Sequence, residues 1–277
     1  MSAFEVAGDG VILRGDDDGD GPAILMLHGL SATRRYVVHG STALERDGYR
    51  VIAYDSRGHG ESSPAPSADD YRYDQLAADA VRVLDDRGVH RAALVGMSMG
   101  SAVAAAVALG HPERVQALVA ITPAHLGTPT ADPARWDRLA AGLEDGGPDG
   151  FVHAYGDPGV DPASLDLIRT VMRQRLARHA QPQAVAAALR ATPRGAAFAG
   201  DQALAGIACP TLVIGSRDRL DPEHPLRIAE RWAEVIPGAE FTVEDDAESP
   251  LAWRGGTLSR VIAGFLAGAG MTPRATR

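Results

Sequence analysis

The chain contains no lysine and no asparagine, and all 27 of its basic residues are arginines. Without lysine there is no P-loop lysine and no Schiff base to a carbonyl cofactor or substrate. Without asparagine there is no acceptor for N-glycosylation. Both absences match what codon bias in a GC-rich genome produces. The single cysteine, Cys209, excludes an internal disulfide and a cysteine-based metal cluster. Positive charge is also scarce: 36 acidic residues leave a net charge of −9, which argues against nucleic acid as a partner. Long hydrophobic runs are missing, and the most apolar stretch, residues 102–109, is far too short to span a bilayer. Residues 1–21 hold Asp16, Asp17, Asp18 and Asp20 and lack the basic and apolar regions of a signal peptide. The expectation is a cytoplasmic protein with no membrane partner.

What remains is ordinary globular composition, 45% apolar over 277 residues, enough for one large core. Short apolar runs at 11–13, 23–27, 50–54, 92–95, 115–121, 211–214 and 240–243 read as strands. Helical spacing or helix-prone composition separates several of them, at 73–84, 98–109, 225–235 and 258–266, and Gly88 sits where a C-cap glycine belongs. Strand and helix alternating through short connections predict an α/β fold: a doubly wound, mostly parallel sheet of about eight strands. Residues 127–205 break the rhythm with Pro, Gly and Asp clusters, followed by a helical stretch at 165–179. That segment is expected to be a helical lid, with 1–126 and 206–277 forming the core.

Chemistry enters at Gly96-Met97-Ser98-Met99-Gly100. A G-x-S-x-G that follows a buried strand and opens a helix forms a tight elbow, which lifts the serine above the sheet edge at a helix N-terminus. His28-Gly29 follows an earlier strand. The backbone N–H groups of Leu30 and Met99 would together form an oxyanion hole, with Gly29 lining the substrate pocket.

With these pieces the sequence resembles the α/β-hydrolase superfamily, in its lidded serine-hydrolase branch. The matching segments are HGL at 28–30, YDSRGHGESSPAP at 54–66, LVGMSMGSA at 94–102, HPERVQALV at 111–119, CPTLVIGSRD at 209–218 and ESPLAW at 248–253. The resemblance implies Ser98 as nucleophile, Leu30 and Met99 as oxyanion donors, and Asp218 as the acid of the triad. It does not imply the nucleophilic Asp of the epoxide-hydrolase and dehalogenase branches, because position 98 is Ser. The departure lies at the turn 246–251, where Glu248 stands in the slot that holds the family's catalytic histidine. The last 53 residues, after His224, contain no histidine.

Serine attack on an ester needs a base with a pKa near 7, and a carboxylate of ordinary pKa about 4.3 is a poor one. If Asp218 and Glu248 lie side by side, like-charge repulsion raises one pKa, and Glu248 becomes an acid or acid/base. His224, six residues after Asp218, and His125, near the sheet's C-terminal edge, are pocket residues and alternative bases. The arginines of the lid helix, Arg169, Arg173, Arg175 and Arg178, are either a solvated face or a site for an anionic substrate group.

Three function classes follow. The first is an atypical enzyme acting on a small carbonyl or ester substrate through Ser98, either by hydrolysis or as a lyase, cyclase or isomerase that uses Glu248. The second is a ligand-binding pseudoenzyme that has lost the base. The third is a conventional esterase with His224 or His125 brought to Ser98. No metal site and no cofactor are expected. The expected partner is a small molecule, and a homodimer is left open.

Overall fold

The chain is described by a computed structural model covering residues 2–218, 221, 223–244 and 253–273. Among the described residues, strands β1 (Ser2–Gly8), β2 (Val11–Asp18), β3 (Ala23–Leu27), β4 (Arg50–Tyr54), β5 (Ala92–Met97), β6 (Val115–Ile121), β7 (Thr211–Ile214) and β8 (Glu240–Thr242) form one sheet in the order β1-β2-β4-β3-β5-β6-β7-β8. The pairs β1·β2 and β2·β4 are antiparallel; β3, β4, β5, β6, β7 and β8 run parallel to their neighbours among themselves.

Beyond the strands read from hydrophobicity, β1 and most of β2 are additional. The two form a hairpin closed by Asp9 (φ 49°) and Gly10 (φ 76°). Positive φ at both central residues is the geometry that matches strand twist. The acidic run Asp16–Asp18 lies inside β2 because arginines neutralise it. Asp17 accepts from Arg50 at 2.9 and 2.7 Å and from Arg87 at 3.0 Å, and Asp16 accepts from Arg34 at 2.6 Å. Burial raises the Asp17 pKa, but the two guanidiniums outweigh it and hold the carboxyl below its ordinary value.

Helices cover both faces of the sheet. On one, Leu25, Leu94 and Leu118 pack against α2 (Tyr73–Asp86), α3 (Met99–Gly110) and α7 (Leu226–Val235), through Leu76, Val103 and Trp232. On the other, Ile24, Val95 and Val119 meet α1 (Ala43–Arg46) and α8 (Gly255–Gly268) through Leu44, Leu258 and Ile262. Each such side chain contributes roughly 1.5–3 kcal/mol on burial.

Between β6 and β7 lie α4 (Pro133–Tyr155), α5 (Pro162–Leu176) and α6 (Pro182–Ala191). The Pro and Asp clusters that read as breaks are helix starts. Asp132 caps α4 by accepting from the Arg135 N–H, and Asp161 caps α5 by accepting from the N–H groups of Ala163 and Ser164. The glycine run inside α4 is a hairpin. Gly147 leaves helical geometry at φ 59°, and the two arms then touch at Gly142 and Gly150. A Cβ on Gly150 would lie 2.0 Å from the Gly142 carbonyl oxygen. Leu139, Leu143, Phe151, Leu176, Val185 and Leu189 give this segment its own apolar cluster, and Leu30 of the core packs against it.

Candidate active site

Ser98 sits between β5 and α3 with φ 55° and ψ −115°. A non-glycine residue held in that region costs about 1–3 kcal/mol, and the surrounding structure must impose it. The two flanking glycines are what allow the turn. A Cβ on Gly96 would meet the Gly100 carbonyl oxygen at 2.2 Å, and a Cβ on Gly100 would meet that of Leu27 at 2.0 Å. The close approach of α3 to β3 therefore depends on bare backbone at both positions. The Ser98 N–H donates to the Ile121 carbonyl at 2.9 Å, and the Ser101 hydroxyl bonds the carbonyls of Gly96 and Ile121 at 2.8 and 3.0 Å.

The imidazole of His224 reaches this serine. Its Nε2 lies 2.7 Å from Ser98 Oγ, and its Nδ1 lies 2.7 Å from Asp221 Oδ2. A carboxylate only accepts, so Nδ1–H donates to Asp221 and Nε2 is left to accept from the serine hydroxyl. Burial pushes the Asp221 carboxyl up, but the His224 ring, through its charge and hydrogen bond, outweighs this. The net pKa is below the ordinary value, so Asp221 stays ionised. The Glu223 N–H donates to Asp221 Oδ1 at 3.2 Å, which fixes the turn. Glu223 is itself held by a two-pronged ion pair from Arg135 of α4, one prong at 3.1 Å. The same guanidinium stacks over the rings of Trp136 and Tyr155 at 5.5 and 5.6 Å. The loop bearing His224 is thus tied to the helical segment.

Gly29 borders Ser98. A Cβ there would lie 3.2 Å from Ser98 Cβ and 3.7 Å from Oγ, which puts the Gly29–Leu30 peptide beside the serine. His28 anchors that strand end: its Nε2 accepts from the Ser56 N–H at 2.9 Å and its Nδ1–H donates to the Gly29 carbonyl at 2.8 Å. Burial pulls the pKa of His28 down, so it is a neutral structural ring. Met99 is the first residue of α3, where backbone N–H groups lack intrahelical acceptors.

The structure treats the remaining sequence-derived candidates differently. Asp218 does not carry the histidine: the carboxylate on the His224 ring belongs to Asp221, three positions later. The Asp218 N–H donates to Ser216 Oγ at 3.1 Å. Buried Glu244 anchors this strand exit by accepting from Ser216 Oγ and Arg217 N–H at 2.8 and 2.5 Å. Glu248 lies outside the described residues. His125 is engaged elsewhere, accepting at Nδ1 from the Gly127 N–H at 3.0 Å and bonding the Tyr73 hydroxyl through Nε2 at 2.8 Å. Burial lowers its pKa to about 4. Asp221 was not among the sequence candidates. The signal that could have found it is an acid three residues before the last histidine, in the loop leaving β7.

A family model described as the alpha/beta hydrolase fold matches residues 22–154. The fold, the strand–turn–helix serine and this match agree. The chain has the α/β-hydrolase fold. A thermophilic esterase from Thermogutta terrifontis, solved with malate bound, superposes with a TM-score of 0.77 at 26% identity, over 97% of this chain and 99% of that one. Est816, described as an N-acyl homoserine lactone degrading enzyme, superposes at 0.74 with 27% identity, over 95% and 100%. Among curated proteins, epoxide hydrolase B of Mycobacterium tuberculosis is 39% identical over 105 residues, 38% of this chain and 30% of that protein. The chain spans less than two thirds of the length of the curated relatives it matches. This fold is that of an enzyme, and no helix among the described residues is long and apolar enough to cross a membrane. Among those residues, no group of three His, Cys, Asp or Glu side chains converges to hold a metal ion.

Proposed function

We propose that the chain is a serine hydrolase of carboxylic esters or lactones, with Ser98 as nucleophile, His224 as general base and Asp221 as the acid that orients it. One observation carries the reading: the continuous relay from Asp221 Oδ2 through the His224 ring to Ser98 Oγ, 2.7 Å at each step. Nucleophile, base and orienting acid within hydrogen-bond reach are the constellation for acyl transfer. The third class weighed from the sequence, an esterase with a displaced histidine, is the one this geometry favours.

In the reaction, Ser98 Oγ attacks the substrate's carbonyl carbon as its proton passes to His224 Nε2. The carbonyl oxygen becomes an oxyanion, and the N–H groups of Leu30 and Met99 are the donors proposed for it. Collapse breaks the bond to the leaving alcohol oxygen, which takes the proton from His224. Water then attacks the acyl-serine, giving its proton to His224 Nε2, and the second collapse releases the acid and returns that proton to Ser98. Asp221 keeps the ring in one tautomer and stabilises the imidazolium.

The helices α4–α6 act as the lid, with Leu30 packed beneath their apolar cluster. The esterase and the lactone-degrading enzyme among the structural neighbours support an ester or lactone substrate. The match to epoxide hydrolases supports hydrolysis in general, while the hydroxyl at position 98 favours acyl transfer over epoxide opening. Labelling with a fluorophosphonate, together with aryl-ester turnover, tests the reading. Ser98 is expected to be labelled in the wild type and not in His224→Ala. Wild-type protein that neither labels nor turns over esters sinks the proposal.

A further inference from the structure

Among the arginines of α5, Arg175 stands apart. Arg173 points outward to Asp149. Arg175 turns inward, and its Nε is buried with no hydrogen-bond partner. Its guanidinium makes no ion pair within 4 Å among the described residues, although two carboxylates and two phenols lie near it. Asp221 is the foremost, followed by Tyr36, Tyr155 and Glu223. The two carboxylates are already committed, Asp221 to His224 and Glu223 to Arg135. The turn of α5 that carries Arg175 also carries Met172 and Leu176, which belong to or pack on the apolar cluster that receives Leu30 and Tyr155. Arg175 is therefore placed beside the Asp221–His224 loop, on the turn of α5 whose apolar side chains share a cluster with Leu30.

The half-buried Arg175 side chain has an Nε–H cut off from water with its hydrogen bond unmade, which is costly, and a ligand that supplies the missing acceptor recovers that cost. A planar guanidinium binds a carboxylate through two parallel N–H···O bonds. A dianionic phosphate is a poorer fit here, since Asp221 and Glu223 already place two negative charges beside the site.

We propose that Arg175 is a specificity residue that receives a free carboxylate on the substrate, so that the preferred substrate is a monoanionic ester or lactone of a dicarboxylic or hydroxy-dicarboxylic acid. This rests on the ester-hydrolase reading above and deepens it.

The test is steady-state kinetics on a matched pair, ethyl hydrogen adipate and diethyl adipate, with fluorophosphonate labelling read on the same samples. The wild type is expected to favour the monoanion in kcat/KM by at least about tenfold. Arg175→Met should collapse that preference by roughly 10- to 100-fold, chiefly through KM for the monoanion. Arg175→Lys should recover part of it. A labelled wild type with no preference, or a preference that Arg175→Met leaves intact, overturns the carboxylate site and leaves the hydrolase reading standing. An unlabelled wild type that cleaves neither ester overturns both. If Arg175→Met does not fold, inhibition of the wild type decides: competitive inhibition by adipate but not by adipamide supports the site, and equal inhibition by both, or by neither, overturns it.

Discussion

His224 Nε2 lies 2.7 Å from Ser98 Oγ although 126 positions separate the two residues in the chain. The histidine and its acid come from one short loop after β7, three residues apart, and not from two successive strand ends. A single loop therefore holds the imidazole and its carboxylate partner together, and whatever displaces that loop removes both at once. Ser98→Ala and His224→Ala are each expected to lower kcat on an aryl ester by about 10⁴- to 10⁶-fold, and Asp221→Asn by about 10²- to 10⁴-fold. Asp218→Asn should cost less than about tenfold, because the ring is held without it. A larger loss for Asp218→Asn than for Asp221→Asn in the same assay would reassign the acid.

The Arg135–Glu223 pair joins α4 to that loop, with side chains still 29% and 32% exposed. An ion pair this open stabilises by only about 0.2–1 kcal/mol, so its expected effect is on positioning. Glu223→Gln and Arg135→Met should each lower kcat roughly two- to tenfold, with a melting temperature within a few degrees of wild type. The double variant should lose no more than either single one. Additive losses would show that the two side chains act separately.

Buried imidazoles make the fold acid-sensitive. His28, His59 and His179 pack ring to ring at 5.2 and 5.6 Å between the Leu30 loop, the 57–60 turn and the end of α5. His179 accepts at Nδ1 from the Gly60 N–H at 2.8 Å, and its Nε2 lies 3.1 Å from the Ser31 carbonyl oxygen. Burial lowers the pKa of His59 well below the ordinary value and those of His125 and His179 to about 4. The unfolded chain takes up these protons near pH 6.5, and the folded chain takes them up only near 4 or below. Stability is therefore full above pH about 6.5 and falls as pH drops towards 4, by about 1.4 kcal/mol per pH unit for each such group. Urea unfolding at pH 7, 6 and 5 checks this. His179→Gln should reduce the slope by about one proton, and an unchanged slope would remove His179 from the account.

Arg57 and Asp79 form a two-pronged ion pair at 2.7 and 2.8 Å, with side chains 0% and 1% exposed. It ties the turn after β4 to α2. Asp79→Ala leaves the guanidinium buried with only the Asp70 carbonyl, at 2.9 Å, still accepting from it. The expected loss is about 3–5 kcal/mol, measured as a lowered denaturation midpoint at unchanged m-value. A loss under about 1 kcal/mol would mean that water reaches the vacated site.

Much of this molecule was legible in the chain itself. The buried runs of β3, β5, β6 and β7, the elbow at Ser98 and the helix-prone 98–109 follow from local rules: side-chain periodicity, and the need for glycine where backbone meets backbone. Local rules failed where charge was cancelled at a distance. The acidic run of β2 reads as a poor strand until Arg34, Arg50 and Arg87 arrive from elsewhere in the chain. They failed again at the site. Sequence position marked Asp218 as the acid, but the course of the loop after β7 decided that Asp221 meets His224 and that His224, not His125, meets Ser98. Sequence also offered the arginines of the 165–179 stretch as equals, and packing alone turned Arg175 inward, its Nε without a partner. The physical reason is common to these cases. Backbone sterics and burial act within a few residues and leave a pattern in the letters. A hydrogen bond across a cleft depends on where two distant segments come to rest, and only the folded chain determines that.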